Sequence, residues 1–196
     1  MSTTDLSAET RTRILSAAWS RLRDQGVSAV TVKDVALDAG VSRQLLYFHY
    51  GNRAGLLTAM ARHHDRSSGF EQRLAAARER PPVESFETVL REWLAYLAEL
   101  LPVARALEAA AITGDVGGEA WRDRMTALRS VCRAVVQRLA DDGRLRSEWD
   151  VDAAADWAWS LVHPGTFAHL VEDRAWAAST FSERTVRALT AELVAS

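Results

Sequence analysis

The chain has 196 residues, a formal net charge of −2 and a single cysteine, Cys132. One cysteine excludes a disulfide framework and a cysteine-cluster metal site, and no uninterrupted apolar run reaches the roughly 18 residues of a membrane span. Residues 1–66 hold 9 Lys and Arg against 6 Asp and Glu, whereas the remainder holds 15 against 20, which slightly favours an anionic partner near the N-terminus. We expect a soluble, cytoplasmic protein, because Met1–Glu9 lacks the basic start and apolar core of a secretory signal.

The composition favours helices over strands. The chain contains 34 Ala and 22 Leu but only 17 Val and 2 Ile, and β-branched residues are the ones enriched in strands. We therefore predict an all-α protein of about nine helices.

Three helices are predicted in the first fifty residues. Thr10–Gln25 is amphipathic, and its apolar stripe is Ile14, Leu15, Ala18, Trp19 and Leu22. A helix of barely two turns begins after the cap Thr31 and stops at Gly40, and Ser42 caps a third helix at once. Two short helices are thus joined by a tight turn at a defined angle.

Six further helices are predicted along the rest of the chain. They are Arg53–Arg80, Val83–Leu101, Pro102–Ile112, Glu119–Ala140, Val151–Val171 and Phe181–Ala195. Pro102 is expected to restart a helix. Pro164-Gly165 is expected to break or kink the fifth, either for packing or to open a cavity. Val151–Val171 is apolar nearly all round, so it needs cover on several sides. A partner subunit that packs against this segment and against Val186, Leu189 and Leu193 would supply that cover.

The stretch from Val30 to Arg53 has helix-turn-helix proportions, which place one helix in the DNA major groove. On the helix that Ser42 caps, an arc of roughly 140° carries Arg43, Gln44, Tyr47 and Phe48. Arg can bind guanine, Gln can bind adenine, and an aromatic face can pack on a thymine methyl. Candidate phosphate contacts flank this arc at Thr31, Lys33, His49 and Arg53, and Ser42 is a further candidate DNA contact. The competing interpretations are a solvated helix face and, for His49, a hydrogen bond within the small domain.

This region resembles the DNA-binding region of the TetR (tetracycline-repressor-like) family of bacterial transcriptional regulators, over Thr10–Ala59. The matching features are Thr31 before Val35-Ala36, the Ala39-Gly40-Val41-Ser42 turn, the core of Leu46, Tyr47, His49 and Tyr50, and basic Arg53 ahead of Leu56-Leu57. Two positions depart from the family pattern. Gln44 replaces a small residue, which makes the operator sequence unpredictable, and Arg53 replaces the usual Lys, which keeps the charge.

The resemblance implies a homodimer whose recognition helices meet successive major grooves of a pseudo-palindromic DNA operator, and a repressor rather than an activator. It implies a DNA-binding domain over residues 1–51 and a helical ligand-binding and dimerisation domain over residues 52–196. A small-molecule effector would alter the separation of the recognition helices. No cofactor is implied.

The effector site has only compositional support. The aromatic and polar candidates are Trp93, Tyr96, Trp121, Met125, Trp157, His163 and Phe167. Trp at helical spacing is equally typical of ordinary core, so both interpretations stay open. Many Trp and scarce Lys after residue 66 favour an apolar or aromatic effector over a polyanion.

Other functions have less support in the sequence. His63-His64-Asp65 is expected to be a solvated face rather than a metal site, because adjacent helical residues point about 100° apart. Signature motifs of common enzyme classes are absent, so we expect no catalysis. The main alternative is a small-molecule-binding helical protein whose N-terminal domain no longer binds DNA, and an all-α enzyme is a third.

Overall fold

The computed structural model describes residues 6–195; Met1–Asp5, part of the stretch expected to lack a secretory signal, and Ser196 lie outside the described residues. Within residues 6–195 the chain forms ten α-helices, one 3₁₀ turn at Val27–Ala29 and no strand, which confirms the all-α class. The helices are α1 Ala8–Gln25, α2 Val32–Asp38, α3 Arg43–Tyr50, α4 Arg53–Ser67, α5 Phe70–Arg78, α6 Pro82–Thr113, α7 Gly117–Asp141, α8 Val151–Leu161, α9 Pro164–Val171 and α10 Ala178–Leu193. Over the same residues, none of the helices combines the length and the apolar character needed to cross a bilayer.

The helices form two compact units. Of the described residues, unit 1 comprises 6–68 together with Pro102–Arg124, and unit 2 comprises Gly69–Leu101 together with 125–195. The functional division into residues 1–51 and 52–196 stays a prediction, because compactness does not say which residues bind what.

Unit 1 is built on α1, which packs against α2 and α4. The predicted apolar stripe of α1 is buried except for Trp19, which is half-buried. The largest buried side chains of the two long helices are Ile14, Leu15 and Leu22 of α1 and Leu56, Leu57 and Met60 of α4. Because burial of one such side chain contributes roughly 1.5–3 kcal/mol, this helix pair is a firm base for the short helices α2 and α3.

Unit 2 has its own core, which corrects one expectation about a partner subunit. Val186, Leu189 and Leu193 of α10 are all 0% exposed within a single chain. α10 packs on α8 and α9, so these three side chains are covered without a second subunit. On α8 the exposed large apolar side chain is instead Trp157.

The structure contradicts two predicted helix boundaries and confirms a third. The helix predicted over Arg53–Arg80 is two helices, because Gly69 between them has a φ of +75°, a left-handed conformation that no helix includes. The predicted restart at Pro102 is wrong, since α6 runs through it. Pro102 is exposed, so water can satisfy the carbonyl that its missing N–H leaves free. The break predicted at Pro164-Gly165 is confirmed, and it divides Val151–Val171 into α8 and α9.

Candidate nucleic-acid interface

Side-chain caps define both helices of the helix-turn-helix. The Thr31 hydroxyl accepts the Asp34 N–H at 3.1 Å and begins α2. The Ser42 hydroxyl accepts the Leu45 N–H at 3.2 Å and begins α3. Between them Gly40 has a φ of +62°, which allows the chain to leave α2 and enter α3 within a few residues. Both predicted caps and the predicted stop are confirmed.

The outward face of α3 carries the side chains predicted to read DNA. Arg43 and Gln44 are exposed, and Tyr47 and Phe48 are 54% and 72% exposed. Leu46, on the other side of the helix, is 1% exposed and anchors α3 in unit 1. The structure therefore brings these four residues to one accessible face. Their contacts with bases stay a prediction.

The position of Arg43 and Gln44 within α3 suits them to this task. They are the first two residues of the helix, and helix-turn-helix proteins contact base edges with the N-terminal residues of the recognition helix. A guanidinium can bind guanine O6 and N7, and a carboxamide can bind adenine N6 and N7. Tyr47 lies one turn further along, where its ring can reach a thymine methyl.

Two arginines of α1 hold the end of α2, and sequence reasoning missed both. Arg13 Nε donates to the Ala39 carbonyl at 2.8 Å. Arg21 binds the Asp38 carboxylate with two nitrogens, at 2.5 and 2.9 Å, and this hydrogen bond lowers the pKa of Asp38. Arg13 and Arg21 are eight residues apart and so lie about 80° apart around α1. The spacing of the two arginines can be read from the sequence, but it does not identify the residues of α2 that they contact.

The side chain of Arg53, a predicted phosphate contact, makes its hydrogen bonds within unit 1. Its Nε donates to the Val30 carbonyl at 2.6 Å, a terminal nitrogen donates to the Val27 carbonyl, and the other binds both oxygens of Asp115 at 2.9 and 3.0 Å. Asp115 also accepts the Gly117 N–H at 2.8 Å. This bond first, and the Arg53 guanidinium second, lower the pKa of the Asp115 carboxyl. Arg53 thus ties the start of α4 to the turn before α2, and a phosphate contact by it stays a prediction.

Thr31 and Lys33, the candidate phosphate contacts beside the N-terminus of α2, differ in how free their side chains are to bind a phosphate. The Thr31 hydroxyl donates to Asp34 Oδ2 at 2.6 Å while it caps α2, so its own hydrogen-bonding capacity is largely used. Lys33 is exposed and has no partner among residues 6–195. The ammonium group of Lys33 is therefore available to a phosphate, and that contact stays a prediction.

His49 and Tyr50 close the inner side of α3. His49 Nε2 and Tyr50 Oη are both buried and have no hydrogen-bond partner within the described part of the chain. Burial raises the pKa of the Tyr50 hydroxyl, and nearby Arg11 partly opposes that effect. His49 points away from the reading face. Its Nε2 makes no hydrogen bond within the described part of the chain, and a phosphate contact by His49 stays a prediction.

The segment His63-His64-Asp65 is half-buried rather than solvated, contrary to expectation. The His64 ring stacks on Trp19 with centroids 3.5 Å apart, and Asp65 pairs with Arg124. Burial lowers the pKa of His63. Among the residues described, no group of three or more His, Cys, Asp or Glu side chains is arranged for a metal ion.

Two of the predicted effector contacts lie together in unit 2. Trp93 and Tyr96 have ring centroids 6.3 Å apart, and Tyr96 stacks on Phe70 at 4.2 Å. The Trp93 indole N–H donates to the Val162 carbonyl at 2.8 Å, which joins α6 to the end of α8. Tyr96 is 1% exposed, so this cluster also has the character of core.

The other effector candidates lie on α7, on α8, and at the start of or within α9. Phe167 is 1% exposed and packs edge-on against Phe181, while Trp157 is 43% exposed. His163 caps α9 by accepting the Gly165 N–H at 3.1 Å. Two further candidates fall on either side of the unit boundary, Trp121 in unit 1 and Met125 in unit 2. Their contact with a ligand stays a prediction.

Comparison with known proteins agrees with this geometry. Residues 14–60 match the model of the bacterial regulatory proteins of the tetR family. Over 58 residues the chain is 38% identical to the transcriptional regulator TtgR and to the probable regulator ArpR, both of Pseudomonas putida. These matches cover 30% of this chain and 28% of the length of each relative.

Solved structures share the whole fold. A chain from Rhodococcus sp. assigned to the TetR-family transcriptional regulators has a TM-score of 0.77 at 21% identity, covering 95% of this chain and 99% of its own. NalD, the secondary repressor of the MexAB-OprM efflux pump in Pseudomonas aeruginosa, has a TM-score of 0.67 at 23% identity, covering 96% and 98%. SmeT, solved with triclosan, has a TM-score of 0.68 at 21% identity, covering 95% and 92%. At these identities the likeness establishes the fold.

Proposed function

We propose that the chain is a member of the tetR family of bacterial regulatory proteins, whose model residues 14–60 match, and that it is a ligand-responsive, sequence-specific DNA-binding transcriptional repressor. The observation that carries the proposal is the outward face of α3, where Arg43, Gln44 and Tyr47 stand exposed beside one another on a helix capped at Ser42. A face kept for solvent alone has no need of side chains that match base edges in the major groove.

The dimensions of α3 fit a groove. An α-helix with its side chains is about 10–12 Å in diameter, and the B-DNA major groove is about 12 Å wide. Lys33 at the start of α2 would meet the phosphate backbone beside it. Base contacts from α3 would then supply the sequence preference, and the phosphate contact would fix the register.

A homodimer would present two such helices to a pseudo-palindrome. Half-sites about 34 Å apart require the two α3 helices to be held at that spacing. Trp157, 43% exposed on α8, is a large apolar side chain of the kind that subunit interfaces bury. We place the dimer contact on this face of α8, within the proposed ligand-binding and dimerisation domain, residues 52–196. The DNA-binding domain would be residues 1–51.

The effector would be an apolar or aromatic small molecule. SmeT was solved with triclosan, a compound of that class, and unit 2 of this chain holds the Phe70, Trp93 and Tyr96 cluster. A ligand that favours the dimer with the wider spacing would weaken operator binding, and a hundredfold release needs only about 2.7 kcal/mol of differential binding. We place the complex in the cytoplasm, where its DNA lies, and propose no catalytic role.

The test begins with selection of bound duplexes from a random library by the full chain. The selected duplex is then titrated at several salt concentrations with wild type, Tyr47→Ala and Lys33→Ala. We expect Tyr47→Ala to lose about tenfold affinity for the selected duplex and little for a scrambled one. Lys33→Ala is expected to weaken both duplexes and to reduce the salt slope by about one.

The exposed Arg122 in α7 provides a matched control, since Arg122→Ala removes a charge away from the helix-turn-helix. If the library yields no enriched sequence while small aromatic compounds still bind the chain, the alternative of a helical binding protein without DNA recognition replaces this proposal.

A further inference from the structure

A cleft of about 510 Å³ lies within unit 1, on the opposite side of α3 from the reading face. Its walls come from α1, the C-terminal end of α3 and α4. Among residues 6–195, its lining includes three arginines, Arg11, Arg62 and Arg66, and no Asp or Glu. Such a cleft has the volume of a site for a small organic molecule and a strongly positive rim.

The arginines of the rim are not neutralised equally. Arg62 forms an ion pair with Asp123 and is half-exposed. Arg11 and Arg66 are exposed and have no hydrogen-bond or ion-pair partner among residues 6–195. Two guanidiniums are therefore free to bind an oxyanion, and guanidinium binds carboxylate and phosphate through two parallel hydrogen bonds.

The inner wall adds two polar groups without partners. Tyr50 Oη and His49 Nε2 belong to residues that line the cleft, and both atoms are buried without a hydrogen bond to any described residue. A buried polar group without a partner is costly, and a ligand in the cleft could supply the partner that each of these two groups lacks. The Leu15 side chain beside them offers an apolar contact for the body of that ligand.

We propose that this cleft binds a small organic anion, an oxyanion head group on a short apolar body. Arg11 and Arg66 hold the head group, and Tyr50 donates its hydroxyl to it. This site is separate from the aromatic effector site proposed in unit 2. Binding to it is measured without DNA, so the proposal stands or falls independently of the proposed function.

The experiment is isothermal titration of the full chain with phenyl phosphate, benzoate and inorganic phosphate, with phenol as the neutral analogue. We expect phenyl phosphate to bind one per chain and phenol not to bind. Arg66→Gln and Arg11→Gln should each weaken phenyl phosphate binding about tenfold or more, and Tyr50→Phe should weaken it several-fold. Arg122→Gln, which removes an equal charge from the same unit outside the cleft, should leave it unchanged.

Because Arg11 and Arg66 are exposed and unpaired among the described residues, their variants should keep the melting temperature of the wild type, which checks folding. Three results would overturn the proposal: no anion binds, Arg122→Gln weakens binding as much as Arg66→Gln does, or the cleft variants bind as tightly as wild type. Loss of DNA affinity in Arg66→Gln, without binding of any soluble anion, would instead identify the cleft as a contact for DNA backbone phosphate.

Discussion

Two arginines ten residues apart show that residue type alone does not decide a role. Arg43 is exposed at the first position of α3, whereas every donor group that Arg53 uses points into unit 1. Both begin a helix after a capping residue, and both were predicted to contact DNA. The difference comes from Asp115, 62 residues further along, whose proximity to Arg53 no local pattern reveals.

The Asp115 carboxylate should stabilise the folded chain above acid pH. Its pKa is lowered below the ordinary value of 3.8, so its contribution is present above that value and is lost as the pH falls through the folded pKa. We expect Asp115→Asn to lower the free energy of unfolding by about 1–2 kcal/mol at neutral pH, measured by urea denaturation. The deficit should shrink near pH 3. Asp142→Asn, at an exposed position, is the control, and a deficit that does not change with pH would contradict this account.

Cys132 should be inert in the folded chain. It is 1% exposed in α7, and burial raises the pKa of its thiol to about 12, which removes the reactive thiolate at neutral pH. Reaction with a chromogenic disulfide reagent should therefore be complete within minutes in denaturant and slower by at least about a hundredfold without it. Comparable rates under both conditions would show that α7 opens readily.

At the scale of elements, prediction succeeded where local chemistry decides the structure. Local chemistry made the caps Thr31 and Ser42 predictable, because each side chain accepts a free backbone N–H at the start of its helix. It also made the stop at Gly40 predictable, because glycine adopts the positive φ that ends a helix. The continuity of α6 through Pro102 was not predictable. A proline removes one backbone hydrogen bond from a helix. Whether water or packing compensates for that loss depends on whether the proline faces solvent or the core, and the spacing of residues in the sequence does not show this.

Two glycines allow a direct test of what each contributes to the packing of the short helices. At Gly40 an added Cβ would meet nothing within 4 Å, so Gly40→Ala costs only the left-handed φ, about 1 kcal/mol. At Gly55 the added Cβ would lie 2.1 Å from the Tyr50 carbonyl oxygen, which belongs to the backbone. We expect Gly55→Ala to destabilise by about 2 kcal/mol or more and to lower the melting temperature further than Gly40→Ala. The reverse order would contradict the close approach of α3 to α4.

At the scale of the whole molecule, periodicity identified buried faces but not what covers them. Val186, Leu189 and Leu193 form a buried stripe as expected, yet their cover comes from the same chain. The effector candidates show the same limit. Trp121 and Met125, four residues apart on α7, fall in different compact units, and sequence spacing cannot predict such a division.

The proposed dimer contact can be tested by charge. Trp157→Asp places a carboxylate on the exposed face of α8 and should shift the protein from dimer to monomer in light scattering, by weakening association about a hundredfold or more. Ile112→Asp is a control, because Ile112 is 82% exposed in unit 1 and is not part of the proposed contact. A dimer that persists in Trp157→Asp would move the interface elsewhere.

The claim that α3 reads bases is tested most directly by repeating the selection from random duplexes with Arg43→Ala and Gln44→Ala. Each variant should lose the preference at one base pair of each half-site, guanine for Arg43 and adenine for Gln44, and keep the preference at the others, at a cost of about 1–3 kcal/mol for the affected pair. Selected sequences identical to those of the wild type would contradict the assignment of this helix as the reader.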